Sequence, residues 1–328
     1  MIKMANKIKF SIIIPVVKIN DYIRESLPYL LAQSYKNFEI LIFPNKKEEE
    51  FKDKRVKVIG SGTPAPAEKR NLALKYAKGE ILAFIDDDAY PNKDWLKNVL
   101  KNFEDERVGA AGGPNLTPKN NSKFQKTCGF VLSSSFVSGK EGYRNKVAKK
   151  REIEDCPSSN LFVRKEVFAK IKGFDPKYWP GEDTKLCLEI IKLGRKIIYD
   201  PKVVVYHHRR KNLVGYLKQI FSFAKHRGYF AKNLPETSLK LQYFIPSIFL
   251  IGLLIGPLLS LIHKYIFIAY SFLLSLYILL VLITSFVARA KGFSFFRSVY
   301  LIFLTHIVYG LGFIEGISKK NLESKFRE

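Results

Sequence analysis

The chain has 328 residues, room for one domain with a substantial core plus an appendage. Lys and Arg outnumber Asp and Glu by 55 to 30, a formal charge of +25 that fits an anionic partner such as phosphate or an acidic membrane surface, or a lysine-rich solvated surface. With no zinc spacing, basic zipper or recognition-helix pattern, composition argues against nucleic acid. Cys128, Cys156 and Cys187 are odd in number and unpaired in spacing, which argues against a disulfide frame or a cysteine metal site and for reduced or packed thiols.

From the N-terminus, Phe10 to Val17 is a short apolar run holding Pro15, a strand and not a signal peptide. Lys9 to Pro15 reads as a buried strand, Asp21 to Ser34 as a helix, Phe38 to Phe43 and Val56 to Ile59 as further strands. Ala67 to Ala77 is a helix closed by Gly79. Glu80 to Ile85 is a fourth strand running into Asp86-Asp87-Asp88. Strands alternating with helices imply a mostly parallel sheet, whose ligands gather at the carboxyl ends of its strands, where the aspartates sit. Residues 110–160 are rich in Gly, Ser and Lys and read as loops and irregular strands over a substrate cleft. Glu182 to Leu193 is helical, ended by Gly194, and Lys196 to Tyr199 and Val203 to Tyr206 are strands.

After about residue 243 the composition turns apolar. Tyr243–Ile262, Tyr265–Ala288 and Ser298–Ile317 each have the length needed to cross a bilayer core of about 30 Å, with tyrosines near their ends. The preceding stretch, Asn212 to Lys232, mixes Leu213, Leu217, Ile220 and Phe221 with Lys218, Lys225 and Arg227, which suits a helix in the headgroup layer or an ordinary packed surface helix. Basic residues 211–240 put the preceding globular part on the cytoplasmic side, and Arg289, Lys291 and Arg297 return the chain there. A third full span would then strand Lys319 and Lys320 outside; either the last stretch is re-entrant or interfacial, or the rule is overridden. His306 within it favours a protein-facing or shallow position.

Three short patterns carry chemistry. On an extended backbone Asp86 and Asp88 point the same way, and hard carboxylate oxygens suit Mg2+ or Mn2+ with substrate phosphates. The same residues also suit a solvated acidic turn before a helix starting near Pro91. Gly181-Glu182-Asp183 opens a helix, where acidic residues are favoured in any case. In Tyr206-His207-His208-Arg209-Arg210 the histidines suit a metal and the arginines a diphosphate, or a basic stripe at a membrane interface.

Taken in order, these segments resemble a family 2 glycosyltransferase of the GT-A fold. The likeness runs from about Lys9 to Arg210 through SIIIPV (Ser11 to Val16), AEKRNLALKYAKGE (Ala67 to Glu80), FIDDDA (Phe84 to Ala89), SSNLFVRKEVFAKIKGFD (Ser158 to Asp175) and GEDTKLCLEIIKLGRKIIYDP (Gly181 to Pro201). Thr305-His306 and Tyr309 to Phe313 are similar to tail residues of membrane-attached members. The resemblance implies a Rossmann-like mixed sheet over residues 1–210, which the apolar and basic patterns extend with an amphipathic interfacial segment over 211–242, a membrane domain of two to three apolar helices over 243–318 and a basic tail over 319–328. It implies donor contacts from Pro15, Asn45, Arg70, Asn71, Asp86, Asp87, Glu182 and Arg209, and a divalent Mg or Mn ion on Asp86 and Asp88 with His207. Asp183 would be the catalytic base, and Asn160, Trp179, Gln219 and Arg227 would meet the acceptor. The chain departs from the family pattern after its opening proline, at Val16 to Asp21, and after its second strand, where Pro44-Asn45-Lys46 stands in place of aspartates that read the base.

A sugar hydroxyl needs a base to attack, whereas a polyprenyl phosphate is already ionised. Keeping Asp183 therefore favours inverting transfer to a hydroxyl of a lipid-linked or cell-surface glycan, in a multi-pass membrane protein with its catalytic part cytoplasmic. Transfer to polyprenyl phosphate, a non-catalytic nucleotide-binding scaffold and a nucleotidyltransferase are the competing expectations.

Overall fold

The structure, a computed structural model, describes residues 8–47 and 50–322. Among them the chain packs as two compact units. One runs to Leu116 and again from Lys146 to His208; the other comprises Thr117–Asn145 and Arg209–Leu322.

The first unit is built on an eight-stranded mixed sheet. Its strands are β1 (Phe10–Pro15), β2 (Phe38–Phe43), β3 (Val56–Val58), β4 (Ile81–Ile85), β6 (Val108–Gly112), β8 (Arg151–Ile153), β9 (Asn160–Arg164) and β10 (Lys196–Tyr199), in the order β3-β2-β1-β4-β9-β6-β10-β8. A smaller sheet joins β5 (Ala89–Pro91), β11 (Val205–His207) and β7 (Asn115–Leu116) in the order β5-β11-β7. Strands β1, β2 and β4 are buried along their whole length, which is why they read as unbroken apolar runs. They pair in parallel, so Pro15, Phe43 and Ile85 all end on one rim. Gly79 permits the crossover into β4, since a Cβ there would lie 2.5 Å from the Ser11 nitrogen.

Two expectations change in this unit. The sheet is less parallel than the alternating pattern implied, because β9 enters antiparallel between β4 and β6. The helix expected near Pro91 starts at Trp95, because Ala89–Pro91 pairs with β11 and brings His207 opposite Ala89.

In the second unit residues 117–145 are largely helical, not loops over a cleft. Ser122 and Gln125 form a capping box that starts the helix Lys123–Ser133. Its Cys128 and Val131 pack with Tyr216, Ile220, Val281, Leu301 and Ile302. The helix Leu213–Asn233 follows, its first turn capped by Asn212. Leu241–Ser260, Lys264–Ala290 and Phe295–Ser318 are each long and apolar enough to cross a membrane. The last is one continuous helix, so a re-entrant path with a chain reversal is not what forms there. Of the expected tail, residues 323–328 lie outside the described residues. Cys128, Cys156 and Cys187 are buried.

Candidate active site

The rim where β1, β2 and β4 end gathers the acidic residues. Asp86, Asp88 and His207 each offer one ligand atom, and these atoms lie within 4.8 Å of one another. The Nε2 of His207 is 2.8 Å from Asp88 Oδ1. The pairing of β11 with β5 creates this cluster from residues 119 apart in sequence. Asp87 and Asp88 lie in a turn between β4 and β5, not on the extended backbone expected of them, and Asp87 accepts from Asn20 Nδ2 at 2.6 Å. Burial first, then Asp88, pushes the Asp87 carboxyl up to about 6. Two carboxylates and an imidazole, each only partly buried, form a donor set that suits a divalent cation with room for substrate oxygens.

Arg70 ties this cluster to the start of the helix Glu182–Lys192. The Arg70 side chain is 6% exposed, its Nη2 donates to Asp86 Oδ1 and its Nη1 to Glu182 Oε1, each at 2.8 Å. Burial alone would favour loss of the Arg70 proton, but the Asp86 and Glu182 carboxylates outweigh it and hold the guanidinium charged. Burial likewise pushes the Glu182 carboxyl up, against the pull of Arg70 and with a further push from Asp183. Next along that helix, Asp183 is half-buried and accepts from the backbone N–H of Ser158 at 3.2 Å and of Thr184 at 2.8 Å. The Thr184 hydroxyl is held in turn by Asp155 at 2.9 Å. Asp86 and the Glu182-Asp183 pair, about a hundred residues apart in sequence, thus meet around one guanidinium.

Other expected site residues fall differently. Pro15 ends β1 on the same rim, and Asn45, just past β2, accepts from Lys69 Nζ, which also donates to the Val16 carbonyl at 2.6 Å. Arg70, expected to meet the donor, directs its two terminal nitrogens to the Glu182 and Asp86 carboxylates. The Asn71 amide clamps the Phe174 backbone, donating to its carbonyl at 2.8 Å and accepting from its N–H at 2.7 Å, so it fastens a loop and does not face a nucleotide. Asn160 is fully buried between the Trp95 indole N–H and the Val203 carbonyl, which removes it from any acceptor surface. Trp179 is half-buried two residues before Gly181-Glu182. Gln219, Arg227 and Arg209 belong to the second unit. There Arg227 donates to Ser238 and lies over the Tyr243 ring, and the Arg209 Nε donates to Thr117 at 3.1 Å.

Sequence reasoning missed Lys69 and Glu25, and of the two histidines it offered to a metal only His207 joins the cluster, His208 pairing with Glu25 instead. Lys69 is 1% exposed and burial lowers its pKa to about 8. A lysine inside an amphipathic pattern gives no sign that it turns inward. The Nε2 of His208 lies 2.9 Å from Glu25, and the His208 N–H donates to the Asp88 carbonyl, anchoring the end of β11 beside the cluster.

Comparison with known proteins agrees with this architecture. The profile of the family described as Glycosyl transferase family 2 matches residues 11–172. A dolichyl N-acetyl-glucosaminyl phosphate diacetamido-dideoxy-glucuronosyltransferase of Methanococcus voltae is 24% identical over 95% of this chain and 98% of its own length. A UDP-Glc:GlcNAc-diphosphoundecaprenol β-1,3-glucosyltransferase of Escherichia coli is 27% identical over 56% of this chain and 69% of its own. Among solved structures, a mannosyltransferase of Pyrobaculum calidifontis superposes with a TM-score of 0.55 at 18% identity, over 96% of this chain and 88% of that one. The chain carries a glycosyltransferase family 2 domain with the GT-A fold, followed by C-terminal helices apolar enough to span a membrane.

Proposed function

We propose that the protein moves a sugar from a nucleotide-sugar to a hydroxyl of a lipid-linked glycan, with inversion, at the cytoplasmic face of a membrane. The observation that carries this reading is the convergence of Asp86, Asp88 and His207 with Glu182 and Asp183 through the Arg70 fork. Asp86, Asp88 and His207 would hold a Mg2+ or Mn2+ ion, which when bound supplies positive charge toward a leaving diphosphate. Asp183 takes the proton of the acceptor hydroxyl as its oxygen bonds to the anomeric carbon; the bond from that carbon to the diphosphate oxygen breaks on the opposite face. The two backbone N–H groups on Asp183 fix its carboxylate for that transfer. Glu182 and Arg70 position Asp86, and Pro15, Asn45 and Asp87 face the nucleotide from the same rim.

The acceptor class draws support from the relatives. The Methanococcus and Escherichia enzymes are named for a sugar already linked to dolichyl phosphate or diphosphoundecaprenol, and the Pyrobaculum enzyme was solved in complex with GDP-mannose and Mn2+. The basic segment 211–240 supports the cytoplasmic orientation. The test is a donor screen, with metal added or chelated, against a lipid-linked glycan and against bare polyprenyl phosphate. Nucleoside diphosphate release should need metal and the glycan, and the product should have the opposite anomeric configuration to the donor. Direct glycosylation of polyprenyl phosphate would overturn the hydroxyl acceptor.

A further inference from the structure

The last apolar helix, Phe295–Ser318, is long enough to cross a membrane, yet its neighbours set its direction differently. It packs against Leu213–Asn233 along nearly the whole of that helix. The Tyr216 hydroxyl lies 2.8 Å from Thr305 Oγ1, Lys225 forms an ion pair with Glu315 at 2.7 Å, and Lys232 Nζ donates to the Ile317 carbonyl at 3.0 Å. The first and last of these pairs are 89 and 85 residues apart in sequence, so the two helices advance together, side by side and parallel. The approach is close: a Cβ on Gly312 would lie 2.7 Å from the Phe221 carbonyl oxygen, and one on Gly316 2.0 Å from that of Lys225. Whatever angle one helix makes with a bilayer, the other shares it. Leu213–Asn233 carries Lys218, Lys225, Arg227 and Lys232 through its length, which suits the headgroup layer and not a hydrocarbon core.

The other two apolar helices lead to the same direction. Leu241–Ser260 and Lys264–Ala290 form an antiparallel hairpin in which Phe249 stacks on Tyr277 with ring centroids 4.0 Å apart. Phe295–Ser318 begins on the second arm, with Phe295 against Phe286 and His306 bonded to the Tyr277 hydroxyl. It ends on the first, with Gly310 accepting from Ser247 and Phe313 against Phe244. A helix that passes from one arm of a hairpin to the other crosses it transversely. Phe296, Tyr300, Phe303, Leu311 and Ile314 remain exposed at the spacing of a single apolar stripe.

We propose that Phe295–Ser318 lies in the membrane surface beside Leu213–Asn233, with this stripe in the boundary between headgroups and acyl chains, so that it does not cross the bilayer. Lys319 and Lys320 then stay on the side of Lys211, and the conflict with the charge rule disappears. This goes beyond the enzymatic reading and does not depend on it. The test uses the full chain in sealed vesicles that expose Lys211→Cys to a membrane-impermeant maleimide; the three native cysteines are buried, so the unsubstituted chain supplies the background. Lys320→Cys should react in the intact vesicles to the same extent as Lys211→Cys. Reaction of Lys320→Cys only after the vesicles are opened would place a third span between them and overturn the proposal.

Discussion

Replacing Glu182 by Gln should weaken metal use without stopping the reaction. In the native site Arg70 is shared between Glu182 and Asp86. Removing the Glu182 charge leaves the guanidinium to Asp86 alone, and Asp86 becomes a poorer ligand. A unit charge about 8 Å from a cation, at an effective dielectric of about 20, contributes about 2 kcal/mol. The metal concentration at half-maximal rate should therefore rise roughly thirtyfold. The substitution is close to isosteric and keeps a hydrogen-bond acceptor for Arg70, so the fold should survive; a thermal melt checks this. The assay is release of nucleoside diphosphate across a Mn2+ titration, with the rate at saturating metal expected within a few-fold of the parent. An unchanged half-saturation point would refute the reasoning. A rate that stays lost at saturating metal would instead put Glu182 in the chemistry.

Asp183→Asn should lower transfer by about 10²–10⁴ while nucleotide binding, followed by thermal shift, is retained, because a positioned base acts only on the acceptor proton. Asn71→Ala should lower stability by about 2 kcal/mol, through loss of the two bonds to Phe174, and leave nucleotide affinity unchanged; a large loss of affinity in a fully folded variant would return Asn71 to the pocket. Lys69 binds its proton more weakly in the fold than in the unfolded chain, about 8 against 10.5, so the unfolded chain holds more protons between those pH values. Parent stability should therefore rise relative to Lys69→Met from pH 8 to pH 10.5, by about 3 kcal/mol if the whole shift is expressed, in paired melts across that range.

What could be read from the sequence follows from how local the cause is. Phe38–Phe43 and Lys196–Tyr199 have the bounds expected of them, because an apolar run and its flanking turn residues fix both ends. The helix from Asp21 starts where Asn20 caps it through Ile23. The antiparallel entry of Asn160–Arg164 was not legible, since its partners are β4 and β6, some fifty to eighty residues away. Asn160 shows the same limit within the site: a polar residue in a motif suggests contact with substrate, but the Trp95 indole and the Val203 carbonyl that consume it come from distant segments. Residues 117–145 concealed a capping box at Ser122 and Gln125 behind a composition rich in Gly, Ser and Lys. Where several acidic segments had to meet, order along the chain suggested the meeting, but the buried cation that joins them, Arg70, was expected to face the donor.

The charge around that joint has a consequence for substrate binding. Asp86, Glu182 and Asp183 surround Arg70, Asp88 lies next to Asp86, and Asp87 acts on Lys69, so among these groups carboxylates outnumber the fixed cations by five to two. A diphosphate brought alone to such a rim would meet repulsion, and neither cation is free to offset it: Arg70 is bonded to carboxylates, and Lys69 to Asn45 and the Val16 carbonyl. Asp86, Asp88 and His207 offer a ligand set on which a divalent ion would change the sign that an incoming phosphate encounters. Donor and metal should then bind as one thermodynamic event, each raising the affinity for the other by the same factor. Donor affinity measured in chelator should accordingly fall by more than tenfold, and equal affinity with and without metal would mean that the diphosphate is held elsewhere.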